Sequence, residues 1–209
     1  MPTGTHTGDR RVRKREATRA ALERAAWELF EQRGFGATTI EDITERVDVA
    51  ERTFFRHFPS KEAVLFGDPS VLETHFRSTL LHRPAGEDIS TSLRATLVEI
   101  GESVVAPARE RHLLRHRILH ENGDPRLEDH LGALSAKSNM LRAAIAERLG
   151  IQPSDPHAQL LGGVVVTIID VVYRQWIEHG AGDDITTIVE QTFDTLDRLL
   201  RPTERTKRP

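Results

Sequence analysis

The stretch TIEDITERVDVAERTFFRHF, Thr39 to Phe58, has the pattern of two short helices joined by a tight turn. Thr39 is a good N-cap, and Asp42 three residues later completes a variant of the capping box. The first segment repeats apolar residues at the spacing of one helical face: Ile40, Ile43 and Val47. In the second segment Phe54 and Phe58 share a face, and the polar side chains are expected to point elsewhere: Arg52, Thr53, Arg56 and His57.

Such a pair of helices is a helix-turn-helix, whose second helix enters the major groove of DNA. Arginine binds guanine O6 and N7 with two hydrogen bonds, and threonine can donate to a phosphate. The alternative is a compact helical hairpin with a solvated charged face, because amphipathic hairpins are common. The spacing alone leaves both interpretations open.

A longer segment, AAWELFEQRGFGATTIEDITERVDVAERTFFRHFPSKEAVL, resembles the DNA-binding domain of the TetR family of one-component transcription regulators. The resemblance is collinear from Ala17 to Leu65, and its matching positions are Ala25, Ala26, Leu29, Phe30, Gly34, Thr38, Thr39, Ile43, Val49, Thr53, Phe58, Pro59, Ser60, Lys61 and Glu62. It implies double-stranded DNA as the partner, repression as the default mode of action, and no enzymatic activity.

The first helix is expected to bury an amphipathic stripe and to end at Gly34, which suits the left-handed position after a helix. The stripe consists of Leu22, Ala25, Ala26, Leu29 and Phe30. Trp27 falls off this stripe, so we expect a partly covered surface aromatic. Phe35 is expected to close the small core.

A basic segment precedes this helix, with six basic residues against Asp9 and Glu16. We expect it to contact phosphates or a minor groove, as arms beside helix-turn-helix units do, although a solvated tail is the alternative. With the helix-turn-helix donors, the predicted DNA-binding residues are Arg10, Arg11, Arg13, Lys14, Arg15, Arg19, Thr39, Arg52, Thr53, Phe55, Arg56, His57 and Lys61.

Two positions depart from what the resemblance implies. Ala50 stands where relatives carry a Ser or Thr N-cap, a loss of roughly 1 kcal/mol. Phe55 stands where many relatives have a Tyr whose hydroxyl binds a phosphate, so phosphate contacts are expected to fall on Thr53, Lys61 and the basic segment.

The composition fits a small domain followed by a larger one, because 209 residues can form two cores. The absence of cysteine and of an apolar leader favours the cytoplasm. The longest apolar stretch, Leu160 to Ile169, is about half of what a bilayer requires, so no membrane partner is expected.

Prolines separate the helical patterns after Ser60, and no strand-like alternation of useful length occurs. The predicted fold is all-α with about nine helices: a three-helix DNA-binding domain over residues 10–59 and a helical ligand-binding and dimerisation domain over residues 60–202. We expect disordered tails at residues 1–9 and 203–209. A helix is predicted from Ser60 to about Arg83, with a break near Pro69, and another carries Leu127, Leu131, Leu134, Leu141 and Ile145.

The helix from about Asp155 to His179 is apolar almost all round and must be covered on two sides. The simplest solution is a homodimer in which the last two helices of each chain form a four-helix interface, as the resemblance also implies. Such a dimer fits a palindromic operator. The predicted interface residues are Gly162, Gly163, Val166, Ile188, Thr192, Leu196 and Leu199.

The remaining helices are expected to enclose a small apolar effector that shifts the fourth helix and so changes the separation of the two DNA-binding domains. The candidate lining residues are apolar or aromatic apart from one carboxylate: Phe66, Phe76, Leu97, Ile100, Val104, Met140, Asp170, Tyr173 and Trp176. Simple core packing is the alternative for most of them. For Asp170, pairing with an Arg or a Tyr hydroxyl is the alternative.

Enzymatic chemistry finds little support. His112, His116 and His120 repeat every four residues, but this spacing spans two turns, too far for one ion to contact all three, and no zinc-site glutamate accompanies them. We therefore expect neither a metal nor a cofactor. The competing hypothesis is a helical small-molecule-binding protein or enzyme that uses the C-terminal cavity.

Overall fold

The computed structural model describes residues 6–66, 69–121 and 139–200, and every regular element in these ranges is helical. The all-α prediction is confirmed. The helices are α1 His6–Arg33, α2 Ile40–Arg46, α3 Glu51–His57, α4 Glu62–Phe66, α5 Pro69–His82, α6 Ile89–Ile100, α7 Arg109–Glu121, α8 139–149, α9 Pro156–Glu178 and α10 Ile185–Leu200.

The chain divides into two compact units. The first comprises residues 1–68 together with 114–123, and the second comprises residues 69–113 and 124–209. Helix α4 belongs to the first unit, since its residues Val64 and Leu65 are buried in that unit's core. The boundary predicted at residue 60 had placed this helix in the second domain.

The core of the first unit contains the predicted stripe of α1 with Ile43, Phe54 and Phe58. Trp27 is also buried, with 8% of its surface exposed, and meets Phe30 edge to face, so the expectation of a surface aromatic was wrong. The same apolar cluster includes residues of α4 and α7, which cover α1 over a wider arc than the sequence pattern indicated.

The ends of the helices follow local chemistry. The Thr39 hydroxyl accepts a bond from the Asp42 amide at 3.1 Å, and the Asp42 carboxylate accepts one from the Thr39 amide at 2.8 Å, which confirms the capping box. Gly34 ends α1 with a φ of 82°. The turn between α2 and α3 passes through Asp48 at a φ of 54°, a left-handed conformation that Asp tolerates better than most residues.

The basic segment is helical, because α1 runs without interruption from His6 to Arg33. The prediction of a disordered tail up to residue 9 was therefore wrong from His6 onward. The physical reason is composition: from Asp9 to Arg33 the chain contains neither proline nor glycine, and Arg, Lys, Glu and Ala all favour a helix.

The second unit is built on α6, α9 and α10, whose buried residues share one cluster with α5 and residues 139–149. Between α6 and α7 the helix widens into a π-helical turn, Gly101–Val105, followed by a 3-10 turn, Ala106–Ala108. The predicted helix from Ser60 is broken, since α4 ends at Phe66 and α5 begins at Pro69. Leu127, Leu131 and Leu134 lie outside the described residues.

Helix α9 has the length and composition of a membrane-crossing helix, with a mean hydropathy of 1.5 over its most apolar 18 residues. The uninterrupted apolar run from Leu160 to Ile169 is therefore shorter than the apolar part of this helix. One face of α9 lies in the core of the second unit, and charged residues stand on its exposed face: Asp170, Arg174 and Glu178. A helix covered on two sides by protein has the same composition.

Candidate nucleic-acid interface

Helix α3 presents the predicted donors unequally. Arg52, Phe55 and Arg56 are exposed, Phe55 to 51%, and Thr53 is partly buried. His57 is only 9% exposed, so the expectation that it points outward with them was wrong. The spacing contained the signal, because His57 follows Phe54 by three residues and precedes Phe58, which places it on the buried face. No side chain caps the start of α3 at Ala50.

The basic half of α1 exposes Arg10, Arg11, Arg13, Lys14 and Arg15. Their contact with DNA stays a prediction, as does that of the exposed capping residue Thr39.

Arg19 has a different environment from the other arginines of this segment. Its guanidinium donates to the backbone oxygen of His57 at 2.8 Å and stacks over the Phe58 ring at 4.4 Å. Arg19 therefore ties α1 to the end of α3, a role that sequence reasoning missed because its partner lies 38 residues away.

Lys61 holds a loop of its own domain. Its ammonium donates to the backbone oxygens of Phe35 and Thr38, both at 2.6 Å, and lies 4.3 Å from the centre of the Phe35 ring. Burial lowers the pKa of Lys61, and the carboxylate of Glu62 opposes this effect. With its ammonium engaged in this way, Lys61 is a structural residue, and its predicted phosphate contact is untested.

A cleft of about 260 Å³ lies between α1 and the end of α3, and we call it the α1/α3 cleft. Its lining residues are Val12, Arg15, Glu16, Arg19 and His57. The Nε2 atom of His57 is buried and has no hydrogen-bond partner among the described residues. Burial lowers the pKa of His57, and the nearby charges of Arg56, Arg15 and Arg19 lower it further. Both effects favour the neutral imidazole.

The candidate effector residues do not form one uniform set. Four of them are buried in the core of the second unit, namely Phe76, Leu97, Ile100 and Trp176, and three are partly buried against it, namely Val104, Met140 and Tyr173. Phe66 belongs to the first unit and is 49% exposed. Asp170 is exposed and forms an ion pair with Arg174 one turn later. This contact favours the alternative of an arginine partner over a ligand contact.

The candidate dimer residues range from core to surface. Gly162 and Ile188 are buried, Val166, Thr192 and Leu196 are partly buried, and Gly163 and Leu199 are exposed. Leu199 is 76% exposed, and further apolar side chains are exposed on the same two helices: Leu160, Val171 and Leu200. Helices α9 and α10 thus carry apolar side chains that the described residues leave exposed.

His112 contacts Tyr173 and Trp176 in an edge-to-face cluster, with ring centroids 5.5 and 5.8 Å away. Within the described ranges no three His, Cys, Asp or Glu side chains lie close enough to hold one metal ion. The side chain of His120 lies outside the described residues.

The geometry of the first unit defines a class: a helix-turn-helix protein whose second helix exposes arginines beside a basic α1. Residues 23–66 match the family described as bacterial regulatory proteins, tetR family, and residues 87–201 match the MftR C-terminal domain. The chain belongs to the TetR family of DNA-binding transcription regulators. This is not a family of enzymes, so the enzyme alternative is excluded.

Individual relatives agree over nearly the whole chain. The transcriptional regulator TcmR of Streptomyces glaucescens is 34% identical, with 89% of this chain and 85% of TcmR covered. The regulator TtgR of Pseudomonas putida is 30% identical, with 88% and 92% covered. The crystal structure of the TetR-family repressor FadR of Thermus thermophilus, in complex with lauroyl-CoA, superposes with a TM-score of 0.60 over 91% of this chain and 99% of FadR. At 24% identity that likeness shows the fold alone.

Proposed function

We propose that the protein is a cytoplasmic, homodimeric repressor that binds a palindromic operator and leaves it when a small apolar molecule binds the second unit. The observation that carries this proposal is the exposed face of α3, where Arg52 and Arg56 stand four residues apart on a helix fixed by the buried Phe54 and Phe58. Two guanidinium groups one turn apart suit neighbouring guanine edges in the major groove.

The homodimer is supported by the uncovered apolar surface of α9 and α10. Gly163 lies on the exposed side of α9, and a Cβ atom added there would have no described atom within 4 Å apart from its chain neighbours and its own helix backbone. A glycine inside a helix costs about 1 kcal/mol relative to alanine, so its presence favours the close approach of a second helix. A two-fold dimer presents two copies of α3, which a palindrome matches.

The apolar effector is supported by the aromatic content of the second unit around Tyr173 and Trp176 and by the π-helical turn beside α6. Wide turns of this kind interrupt helices at functional sites more often than elsewhere. FadR binds lauroyl-CoA, a ligand with an apolar acyl chain. A coupling free energy of about 1 to 3 kcal/mol changes DNA affinity fivefold to more than a hundredfold.

The decisive experiment is the selection of a binding site from random duplex DNA, followed by footprinting on the DNA flanking the gene. We expect a palindrome with half-sites about one helical turn apart. Arg52→Ala with Arg56→Ala is expected to weaken selected-site binding at least about a hundredfold, since each base-reading pair contributes about 1 to 3 kcal/mol. Arg77→Ala with Arg117→Ala removes the same charge from α5 and α7 and is expected to retain most of the affinity.

Failure to enrich any sequence, or equal losses in the two double variants, would contradict the proposal. Repression is tested separately with a reporter gene downstream of the selected site. Lower expression in the presence of the protein, restored by an apolar metabolite that also releases the DNA in vitro, is the expected outcome. Higher expression would make the protein an activator.

A further inference from the structure

The α1/α3 cleft combines positive charge with a titratable ring that lacks a partner. Arg15 and Arg19 line it together with His57, whose side chain is nine-tenths buried and whose Nε2 atom has no hydrogen-bond partner among the described residues. The bond from Arg19 to the His57 carbonyl and its stacking on Phe58 hold one guanidinium beside the imidazole. Two residues that line the cleft, Arg19 and His57, are therefore held in place by contacts within the first unit.

The charges that face the imidazole come from two helices. Helix α1 contributes Arg15, Glu16 and Arg19, and α3 contributes Arg56. Three guanidinium groups against one carboxylate leave an excess of positive charge around a buried ring. Both burial and this excess disfavour a second proton on the imidazole, and the pKa of His57 is accordingly lowered.

An anion in the cleft would reverse this balance. It would offset the charges of Arg15 and Arg19 and so favour the protonated imidazole. The volume of about 260 Å³ is ample, since a phosphate group occupies roughly the space of two or three water molecules, each about 30 Å³. Guanidinium groups bind phosphate oxygens through short, charge-assisted hydrogen bonds.

We propose that the α1/α3 cleft takes up one phosphate group of the DNA backbone together with one proton on His57, so that operator binding tightens as the pH falls. The inference rests on the proposed function. The recognised chemistry is a phosphate oxyanion, and the DNA backbone is favoured as its source because His57 ends the helix that carries Arg52 and Arg56. If the complex holds one more proton than the free protein, log Kd changes by up to about one unit per pH unit.

The first test measures Kd for the selected operator duplex between pH 5.5 and 8.0 at constant ionic strength. We expect binding about threefold to tenfold tighter at pH 6.0 than at pH 7.5 for the unmodified protein, following from the uptake of one proton. The variant His57→Gln is expected to remove this dependence. The control His75→Gln changes an exposed histidine of α5 in the second unit and is expected to keep it.

The second test needs no variant and therefore decides the matter even if His57→Gln does not fold. NMR titration gives the pKa of the His57 ring in the full chain alone, with operator duplex, and with inorganic phosphate. We expect the duplex to raise it by at least about half a unit, equivalent to a threefold change in affinity. An unchanged or lower pKa in the complex would overturn the inference.

The remaining outcomes separate the two claims. If no duplex is bound, the proposed function fails. If duplex is bound with the same pH dependence in His57→Gln and in the unmodified protein, only the inference fails. If millimolar inorganic phosphate raises the pKa of His57 and the duplex does not, the cleft is a site for free phosphate, and its coupling to the operator is refuted.

Discussion

The ammonium of Lys61 lies 4.3 Å from the centre of the Phe35 ring while it donates to the carbonyl oxygen of the same residue. One side chain thus closes the loop between α1 and α2 through charge, hydrogen bonding and ring contact. Hydrogen bonds from a charged donor contribute about 1.5 to 3 kcal/mol each, more than neutral ones.

Lys61→Met is therefore expected to lower the free energy of unfolding of the first unit by about 2 kcal/mol or more, because the backbone oxygens of Phe35 and Thr38 both lose a charged donor. Urea unfolding of the full chain measures this, with Lys14→Met as the control, since Lys14 is exposed. The same variant tests the predicted phosphate contact: a smaller salt dependence of DNA binding would support it, and an unchanged dependence would refute it.

Asp48 adopts a left-handed backbone conformation, so two substitutions at this position are expected to differ in their effect on stability. Asp48→Val is expected to destabilise the helix-turn-helix by about 1 to 2 kcal/mol, because a β-branched side chain clashes with the backbone at positive φ. Asp48→Gly removes the same carboxylate but permits the conformation, and is expected to stay within about 0.5 kcal/mol of the unmodified protein. Equal losses measured by urea unfolding would show that the carboxylate matters and the backbone angle does not.

The neutral His57 makes stability depend on pH in a defined direction. Its pKa in the folded chain lies below the ordinary value of 6.5, so the unfolded chain binds the extra proton first. The stabilisation is complete above pH 6.5 and is lost as the pH falls from 6.5 through the lowered pKa. Thermal unfolding is expected to show this loss in the unmodified protein and in His75→Gln, and not in His57→Gln.

The titration of the Asp42 carboxylate falls in a different pH range from that of His57. The pKa of Asp42 is lowered, first by its hydrogen bonds with Thr39, from an ordinary value of 3.8. Its stabilising contribution is therefore present above that value and is lost only in more acidic solution. A loss of stability near pH 6 that survives in His57→Gln would contradict the assignment to His57.

The exposed Leu199 predicts the position of the dimer interface. Leu199→Glu is expected to weaken self-association at least about a hundredfold, because two-fold symmetry buries two unpaired carboxylates at a cost of several kcal/mol. Val71→Glu makes the same change at another exposed apolar residue, on α5, and is expected to leave association unchanged. Sedimentation equilibrium distinguishes monomer from dimer. A dimer that persists in Leu199→Glu would place the interface elsewhere.

Sequence patterns predicted the features that depend on neighbours along the chain. The Thr39 cap, the end of α1 at Gly34 and the break before α5 follow from interactions within a few residues. Helical spacing could also have predicted that Trp27 and His57 are buried, since each lies three residues from a buried phenylalanine. They were missed because a polar or bulky aromatic side chain was expected to face solvent.

The roles of Arg19 and Lys61 were beyond sequence reasoning. Their partners lie 38 and 26 residues away, and no periodicity distinguishes a cation that binds a backbone carbonyl from one that awaits a phosphate. The same limit applies to Asp170, because the pattern shows an acid within an apolar helix and leaves open which face it occupies.

The continuity of α1 gives its basic half a fixed reach. At 1.5 Å per residue, Arg10 stands about 18 Å beyond Leu22, the first stripe residue, which is close to half a turn of duplex DNA. We expect a rigid helix of this length to contact one stretch of DNA backbone with little loss of conformational entropy, whereas a flexible tail would become ordered only on contact. We therefore expect the fixed spacing between these charges and α3 to limit which phosphates the charges can contact.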